Sequence, residues 1–590
     1  MSGAWRFCAL TQKEVTSMEM NKKDIIKTLE LIATYLEIKG ENPFKISAYR
    51  KAAAALEADD RSMKDIDDFS KINGIGKGTA AVIQELMDTS KSTVLEELSE
   101  QVPQGLLPLL RLPGLGGKKI AKLYQELNVT DVETLKQCCL ENKVQELAGF
   151  GKKTEEKILA TIEEMGNRPE RLPIWFMLPI AAQIEEQLGQ MHNIIQYSRA
   201  GSLRRMKETI KDLDFIIATE DPTSVREQLL QLENISDIIA SGDTKVSVVL
   251  KYEYDVSVDF RLVEPQSFAT TLHHFTGSKE HNVKMRQLAK ERGEKISEYG
   301  VEMIESGELL TFGSEEEFFR HFGLQFIPPE MREDQGEIEV SMEGVIDSMT
   351  VADIKGDLHM HTTWSDGAYS IQEMVEAARR KGYSYIAITD HSQYLKVANG
   401  LTAERLREQR KEIDRLNELY DDITILAGVE MDILPDASLD YDDEVLKQMD
   451  IVIGAIHSSF SQDRDKIMKR LITALESHHV DIIAHPTGRL IGKRKGYDVD
   501  LDMLIEIAKK TNTVLECNAN PYRLDLSAEW LKKAQESGVK VVINTDAHQI
   551  DTLEHMEIGV ATARRGWIKK ETVLNTWTFD ELRTFLNRNH

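Results

Sequence analysis

From residue 353 onward, short apolar runs alternate with amphipathic stretches of helix length, and this alternation limits the fold more than any other feature. Short β-branched runs bounded by polar turns read as strands, and strands separated by helices imply β/α units around a parallel sheet. The runs are "DLHMH", "YIAITDH", "TILAGVE", "DIVIGAIH", "VDIIAHP", "TVLECN" and "VKVVINTDAH". They end, in order, in His359 and His361, His391, Glu430, His457, His485, Glu516 with Asn518, and Asp546 with His548. Side chains at the C-terminal ends of barrel strands converge on one mouth, where such folds carry their chemistry. Asp366 follows His361 closely in "GDLHMHTTWSDG". Six of the 15 histidines thus sit at strand ends, and Asp366, Glu430 and Asp546 raise the candidate metal ligands to nine. A lone histidine there is ordinarily structural; nine donors gathered at the ends of six of the seven runs are a site. Imidazole and carboxylate in that number suit two or three ions, Mn²⁺ or Zn²⁺ rather than Mg²⁺. Just after His485, "GRLIGKRKGYD" brings Arg489, Lys493, Arg494 and Lys495 near the mouth, either to hold DNA phosphates or as a solvated basic loop.

A second constellation, of oxygen donors only, lies earlier in "AGSLRRMKETIKDLDFIIAT" (200–219). Gly201 and Ser202 offer backbone N–H groups and a hydroxyl to a triphosphate, and Arg204 and Arg205 add cationic forks. "LDFIIAT" reads as a strand with Asp212 and Asp214 on one face, and "DVSVDFRLV" (255–263) as its partner, carrying Asp259. Three carboxylates on adjacent strands can hold two Mg²⁺ ions about 4 Å apart, the arrangement for phosphoryl transfer.

The front of the chain repeats one pattern three times: "INGIGKGTAAVI" (72–83), "LPGLGGKKIAKL" (112–123) and "LAGFGKKTEEKI" (147–158). Gly74 and Gly76, Gly114 and Gly116, and Gly149 and Gly151 permit tight turns that bring backbone N–H groups close to an anion. A helix then begins with its positive end toward that anion. A single copy is also what a plain interhelical turn looks like. Three copies with Lys77, Lys118, Lys119, Lys152 and Lys153 at the helix starts point to helix-hairpin-helix binding of nucleic-acid backbone, without base readout.

Composition sets the outer limits. A chain of 590 residues with 41% hydrophobic residues has room for several folded domains. The net charge of −26 argues against the whole chain being a polyanion binder and leaves local basic patches open. No apolar run is long enough for a transmembrane helix, and the first residues lack the apolar centre of a signal peptide. Four cysteines without a CxxC pair fit a reducing compartment, so a cytoplasmic location is expected. Protein partners leave no visible motif.

Residues 20–333 resemble the family X DNA polymerases, the family of DNA polymerase beta, through "AYRKAA" (48–53), the hairpins, "GSLRR", "DLD", "VDFR" and "FTGS" (275–278). Residues 353–590 resemble the polymerase and histidinol phosphatase (PHP) domain, a seven-stranded distorted β/α barrel, with all nine ligand positions intact. Together they resemble bacterial family X DNA polymerases. The resemblance implies a multi-domain α/β chain: an extension (1–19), a helix-hairpin-helix DNA-binding domain (20–95), fingers (96–168), palm (169–262), thumb (263–333), a linker (334–352) and a PHP phosphoesterase domain (353–590). It implies Asp212, Asp214 and Asp259 as catalytic metal ligands, and Ser202, Arg205 and Arg171 as triphosphate contacts. Phe275 and Gly277 would line the sugar, Asn282 would reach the base, Arg286 the template strand and Lys45 a 5′-phosphate. Gapped or nicked DNA and dNTPs are the implied partners. Metal-activated water attacking phosphorus is the implied barrel chemistry, giving 3′-end trimming and cleavage at abasic sites. Two positions depart from the pattern: Val82 replaces the Schiff-base lysine of lyase-active members, so little lyase activity is expected, and His274 replaces a tyrosine beside the sugar. A rival reading keeps the polymerase and makes the barrel a metal-stabilised scaffold or small-phosphoester phosphatase. A third, a gap-binding platform without catalysis, gives no reason to concentrate three carboxylates beside DNA.

Overall fold

The computed structural model describes residues 22–590, except 58–62, 64, 65, 67, 90, 113, 114, 168, 345, 347 and 588–590. The N-terminal extension, Cys8 and Gly114 therefore lie outside the described residues. The chain divides into two compact units, Met1–Pro169 and Glu170–His590.

The first unit is helical, with helices at Lys22–Lys39, Pro43–Glu57, Lys77–Thr89, Thr93–Gln101, Gly117–Leu127, Val132–Leu140 and Lys152–Asn167. Leu29, Ile32, Leu36, Ile83, Ile120, Leu123 and Leu135 recur at helical spacing and form its core. The glycine turns fall where expected. Gly74 and Gly149 adopt φ of 103° and 90°, which a side chain resists, and helices start at Lys77, Gly117 and Lys152. Val82 is 6% exposed and belongs to the core.

The second unit begins with the segment expected to be the palm. Its strands are β1 (Leu172–Pro173), β2 (Gln196–Arg199), β3 (Thr209–Ile210), β4 (Leu213–Ala218), β5 (Ile235–Ser241), β6 (Lys245–Lys251) and β7 (Asp255–Val263). β1 and β3 form a small ladder, and the rest a five-stranded sheet in the order β2-β4-β7-β6-β5. On β7, Val256, Val258, Phe260 and Leu262 are buried, which turns Asp259 and Arg261 to the other face. The thumb follows, with helices Phe268–Thr276, Lys279–Glu291 and Glu315–His321 and a sheet of β8 (Glu294–Ile296), β9 (Val301–Met303) and β10 (Leu309–Leu310). The segment expected as a linker is not an open tether. It contains the helix Glu337–Glu343, whose Glu337 is 1% exposed and bonded to His281 of the thumb at 2.7 Å.

The rest is a barrel of seven parallel strands in sequence order: β11 (Gly356–Asp357), β12 (Tyr385–Ile388), β13 (Thr424–Asp432), β14 (Ile451–Ala455), β15 (Ile482–Ile483), β16 (Val514–Asn518) and β17 (Val541–Asn544). It is nearly closed. Met360 bridges Ala547, and the His361 N–H donates to the Ala547 carbonyl at 2.8 Å. Alternation sorts the strand residues into two cores. Tyr385, Ile451, Ile453, Ile482, Val514 and Val542 meet Leu574, Leu582 and Leu586, while Ile386, Val452, Ile483, Leu515 and Ile543 face the helices. Among the described residues no helix is long and apolar enough to cross a membrane.

Candidate functional site

All nine expected ligands gather at the C-terminal mouth of the barrel, with one adjustment to the sequence reading. Only Glu430 lies within a strand; His359, His361, His391, His457, His485, Asp546 and His548 follow their strands by a few residues. The backbone turns sharply there, and His485 and Asp546 adopt φ of 28° and 53°, rare for residues with a side chain. Glu430 is the hub. One carboxylate oxygen lies 3.0 Å from His485 Nε2 and 3.1 Å from His457 Nε2, the other 2.9 Å from His391 Nδ1 and 3.5 Å from both His359 and His361 Nε2. Asp546 lies 3.2 Å from His361 and 3.5 Å from His359. Asp366 completes the rim, 3.4 Å from His548 and 3.7 Å from His391.

The donors overlap in three groups able to grip a cation: His361, Asp366, His391 and His548; His359, His361 and Asp546; His391, Glu430 and His457. His485 joins the last through Glu430. Buried polar atoms here face one another at ion-pair distance without a well-directed hydrogen bond: His359 Nε2, both His361 nitrogens, His391 Nδ1 and Glu430 Oε2. Lone pairs left so at this density are costly unless a cation uses them, so the donor set fits divalent metals. Burial, with His548 and His391 beside it, drops the His361 pKa to about 3 and keeps the ring in the neutral form that ligates. Against its burial, His457 is lifted to about 10 by Glu430 and Asp432.

Orienting groups surround the ligands, and the sequence reading missed most of them. Glu516, placed at a strand end but not among the nine, accepts from His359 Nδ1 at 2.7 Å and from the His485 N–H at 2.8 Å. Asp432 is fully buried and 3.3 Å from His457 Nδ1. Its position two residues past Glu430 on β13 was the available signal. The basic loop is also different from expectation. Arg489 pairs with Glu208 at 2.6 Å, Lys493 is exposed with its Nζ over Trp175, and Arg494 alone of the four lines the mouth.

In the palm, Asp214 on β4 stands directly opposite Asp259 on the parallel neighbour β7. Asp212 lies in the bend before β4 rather than in the strand, because β3 ends at Ile210 and β4 begins at Leu213. It stays close enough that burial, then Asp212 and Asp259, push the Asp214 pKa up to about 7. Asp259 is held by Ser247 Oγ at 2.6 Å and Lys245 at 2.9 Å. Gly201, with φ 60°, lies so close that a Cβ would collide with the Asp214 carboxylate. Ser202 follows it as the second residue of the short helix Gly201–Arg204. Arg205 is held elsewhere: it pairs with Glu333 at 2.9 Å and donates to the Thr276 carbonyl at 2.7 Å. Arg171 donates to the Thr209 carbonyl at 2.6 Å. Phe275 lies under the Arg261 guanidinium at 4.6 Å, Gly277 abuts Asn282, and Asn282 donates to the His274 carbonyl at 2.7 Å. Arg286 is exposed on helix Lys279–Glu291.

In the first unit, Lys45 is exposed beside Phe44 at the start of helix Pro43–Glu57. A Cβ at Gly76, Gly116 or Gly151 would meet no other atom, so these backbones face open space. The Gly76 N–H donates to Thr79 Oγ1 at 3.1 Å.

Polymerase-type palm and thumb, together with a barrel whose mouth is built of imidazoles and carboxylates, define an enzyme acting on nucleic-acid phosphates at two separate centres. Comparison with known proteins agrees. Residues 271–333 match the DNA polymerase beta thumb, 357–520 the PHP domain, 20–92 a helix-hairpin-helix domain and 106–164 a SAM-like helix-hairpin-helix tandem. The DNA polymerase/3′-5′ exonuclease PolX of Bacillus subtilis (strain 168) is 64% identical over 570 residues, 97% of this chain and 100% of that protein. A probable phosphatase of Thermoanaerobacter sp. (strain X514) is 30% identical over 231 residues, 37% of this chain and 89% of that protein. The chain belongs to the bacterial family X DNA polymerases that carry a C-terminal PHP domain.

Proposed function

We propose that the protein is a DNA-directed DNA polymerase and 3′–5′ exonuclease that fills short gaps and trims 3′ ends during DNA repair. The observation that carries this reading is the pairing of Asp214 and Asp259 across β4 and β7, with Asp212 beside them, in a chain so similar to a polymerase/exonuclease along that protein's whole length. Asp212, Asp214 and Asp259 hold the palm ions, and the nine barrel residues hold the second cluster. Mg²⁺ held by the palm carboxylates, and Mn²⁺ or Zn²⁺ held by the barrel donors, would supply neutralisation of the charge on the reacting phosphate. Ser202, Arg205 and Arg171 receive the triphosphate, for which Arg205 exchanges Glu333 for phosphate oxygens. Phe275 and Gly277 bound the sugar, Asn282 reads the base edge and Arg286 supports the template. The hairpin glycines bind backbone phosphates on either side of a gap or nick, and Lys45 a 5′-phosphate. Cleavage at abasic sites and removal of 3′ blocking groups belong to the same barrel centre. Cys138, Cys139 and Cys517 are free thiols, in keeping with a cytoplasmic location.

A 5′-labelled primer on a gapped template with Mn²⁺ tests this. The protein lengthens it with dNTPs and shortens it without. Asp212→Ala/Asp214→Ala only shortens, and His361→Ala only lengthens. If the wild type never shortens the primer under any metal, the barrel is a scaffold or small-phosphoester phosphatase, the reading favoured by its similarity to the Thermoanaerobacter protein.

A further inference from the structure

The barrel mouth is more than a ring of ligands. It opens into a cleft of about 310 Å³ whose walls include Leu395, Phe460, Arg494 and Arg523. That volume is at the lower end of the range for small-ligand sites, roughly 300–1,000 Å³, and suits one nucleotide rather than a duplex. Resting on the reading of the barrel as a nuclease, we infer that Phe460 and Arg494 form a nucleobase subsite that holds the 3′-terminal base while its phosphate lies on the metal ligands.

The argument starts from what these two side chains lack. Phe460 follows His457 by three residues, packs one side against the barrel core and is only half-buried, so part of its ring lines the cleft. The Arg494 guanidinium lies 4.2 Å from the Phe460 ring centroid. Its Nε and Nη2 both donate to the Gly488 carbonyl, at 3.2 and 2.9 Å, and it pairs with no carboxylate among the described residues. Arg523, the other arginine lining the cleft, is 3.6 Å from Asp546, whereas the Arg494 guanidinium is tied down by no counter-ion among the described residues and keeps its plane for stacking. Arg494 therefore presents a flat, delocalised face and an unused Nη1 to the cleft.

The platform is also built to hold its shape. Tyr497 lies nearly parallel to Phe460, 14° between planes and 6.0 Å between centroids, with its hydroxyl on the His485 carbonyl at 3.4 Å. Gly488, with φ 60°, makes room: a Cβ there would collide with Tyr497 and crowd Phe460. Across the mouth, Leu395 belongs to a surface loop that exposes Tyr394 by 41% and Val397 by 93%. Apolar and aromatic groups beside a phosphate-binding centre suit a nucleobase, since every base offers a π face. A small phosphoester needs none of them.

Two chromogenic esters separate the possibilities. Thymidine 5′-(p-nitrophenyl) phosphate and methyl p-nitrophenyl phosphate react alike: water forms the new P–O bond, the bond to the aryl oxygen breaks, and p-nitrophenolate leaves. Only the first carries a base. With Mn²⁺, the wild type is expected to prefer the thymidine ester. In Phe460→Ala and Arg494→Ala, kcat/KM for that ester should fall about tenfold more than for the base-free ester, mainly through KM, and Phe460→Tyr should restore most of it. Primer extension by the same preparations reports that each variant is folded. Equal loss on both esters, or no loss on either, overturns the base subsite while leaving the nuclease reading intact. Failure of the wild type to cleave either ester or a DNA 3′ end sinks the nuclease reading, and the subsite with it.

Discussion

Glu315 offers the sharpest test of how the palm is tied to the thumb. Its carboxylate is 6% exposed and sits between two arginines, accepting from Arg204 at 2.6 and 3.1 Å and from the fully buried Arg332 at 2.6 Å. Burial alone would raise its pKa; Arg332 and then Arg204 outweigh burial and hold the carboxyl at about 2 against an ordinary 4.5. A gap of about 2.5 pH units at about 1.36 kcal/mol each comes to roughly 3.4 kcal/mol of stability. The cost of removing one member of a buried ion pair, about 3–5 kcal/mol, agrees. Glu315→Gln should therefore lower the urea unfolding free energy by about 3 kcal/mol at pH 7.5. The native carboxyl is the one depressed, so its contribution is complete above pH 4.5 and fades as pH falls toward 2. The gap between wild type and variant should narrow over that window. Arg204 also donates to Thr276 Oγ1 at 2.8 Å, next to the loop expected to hold the nucleotide, so KM for dNTP should rise as well. A variant within about 0.5 kcal/mol of wild type, with an unchanged pH profile, would show that the two arginines do not depend on this carboxylate.

Three further outcomes are expected. Gly201→Ala places a methyl group against the Asp214 carboxylate in a left-handed turn, and primer extension should fall by about 100-fold or more while 3′ trimming persists. Glu516→Gln loosens the 2.7 Å bond that orients His359, and Mn²⁺ affinity of the barrel, measured by titration, should weaken by about 10–100-fold. Because position 82 is a core valine, borohydride should trap little or no adduct with a 5′-deoxyribose phosphate end; a strong adduct would reveal another amine at work.

Much of this protein is legible in its sequence. The strand count and order of the barrel follow from period and length, because a parallel strand buried on both faces must be apolar and its polar chemistry must wait for the strand's end. The nine candidate ligands, the three carboxylates and the glycine turns could be singled out because each proposed role needs a residue type that little else at that position explains. Tertiary structure decided what spacing cannot encode. Asp214 faces Asp259 through a parallel register set by the whole palm sheet, and Asp212 stays near them although it lies outside the strand. Glu430 became the hub because β13 runs past it while the other strands stop short of their ligands. Asp432 looks like an ordinary strand residue, and Glu516 like a strand end with no stated role, until the barrel closes and puts them behind His457 and His359. Arg489, read as a DNA-phosphate contact or a solvated loop residue, and Arg205, read as a triphosphate contact, pair with Glu208 and Glu333, far away in the sequence. Sequence fixes which groups a chain can offer; partners that meet only through packing of distant segments decide which of them remain available.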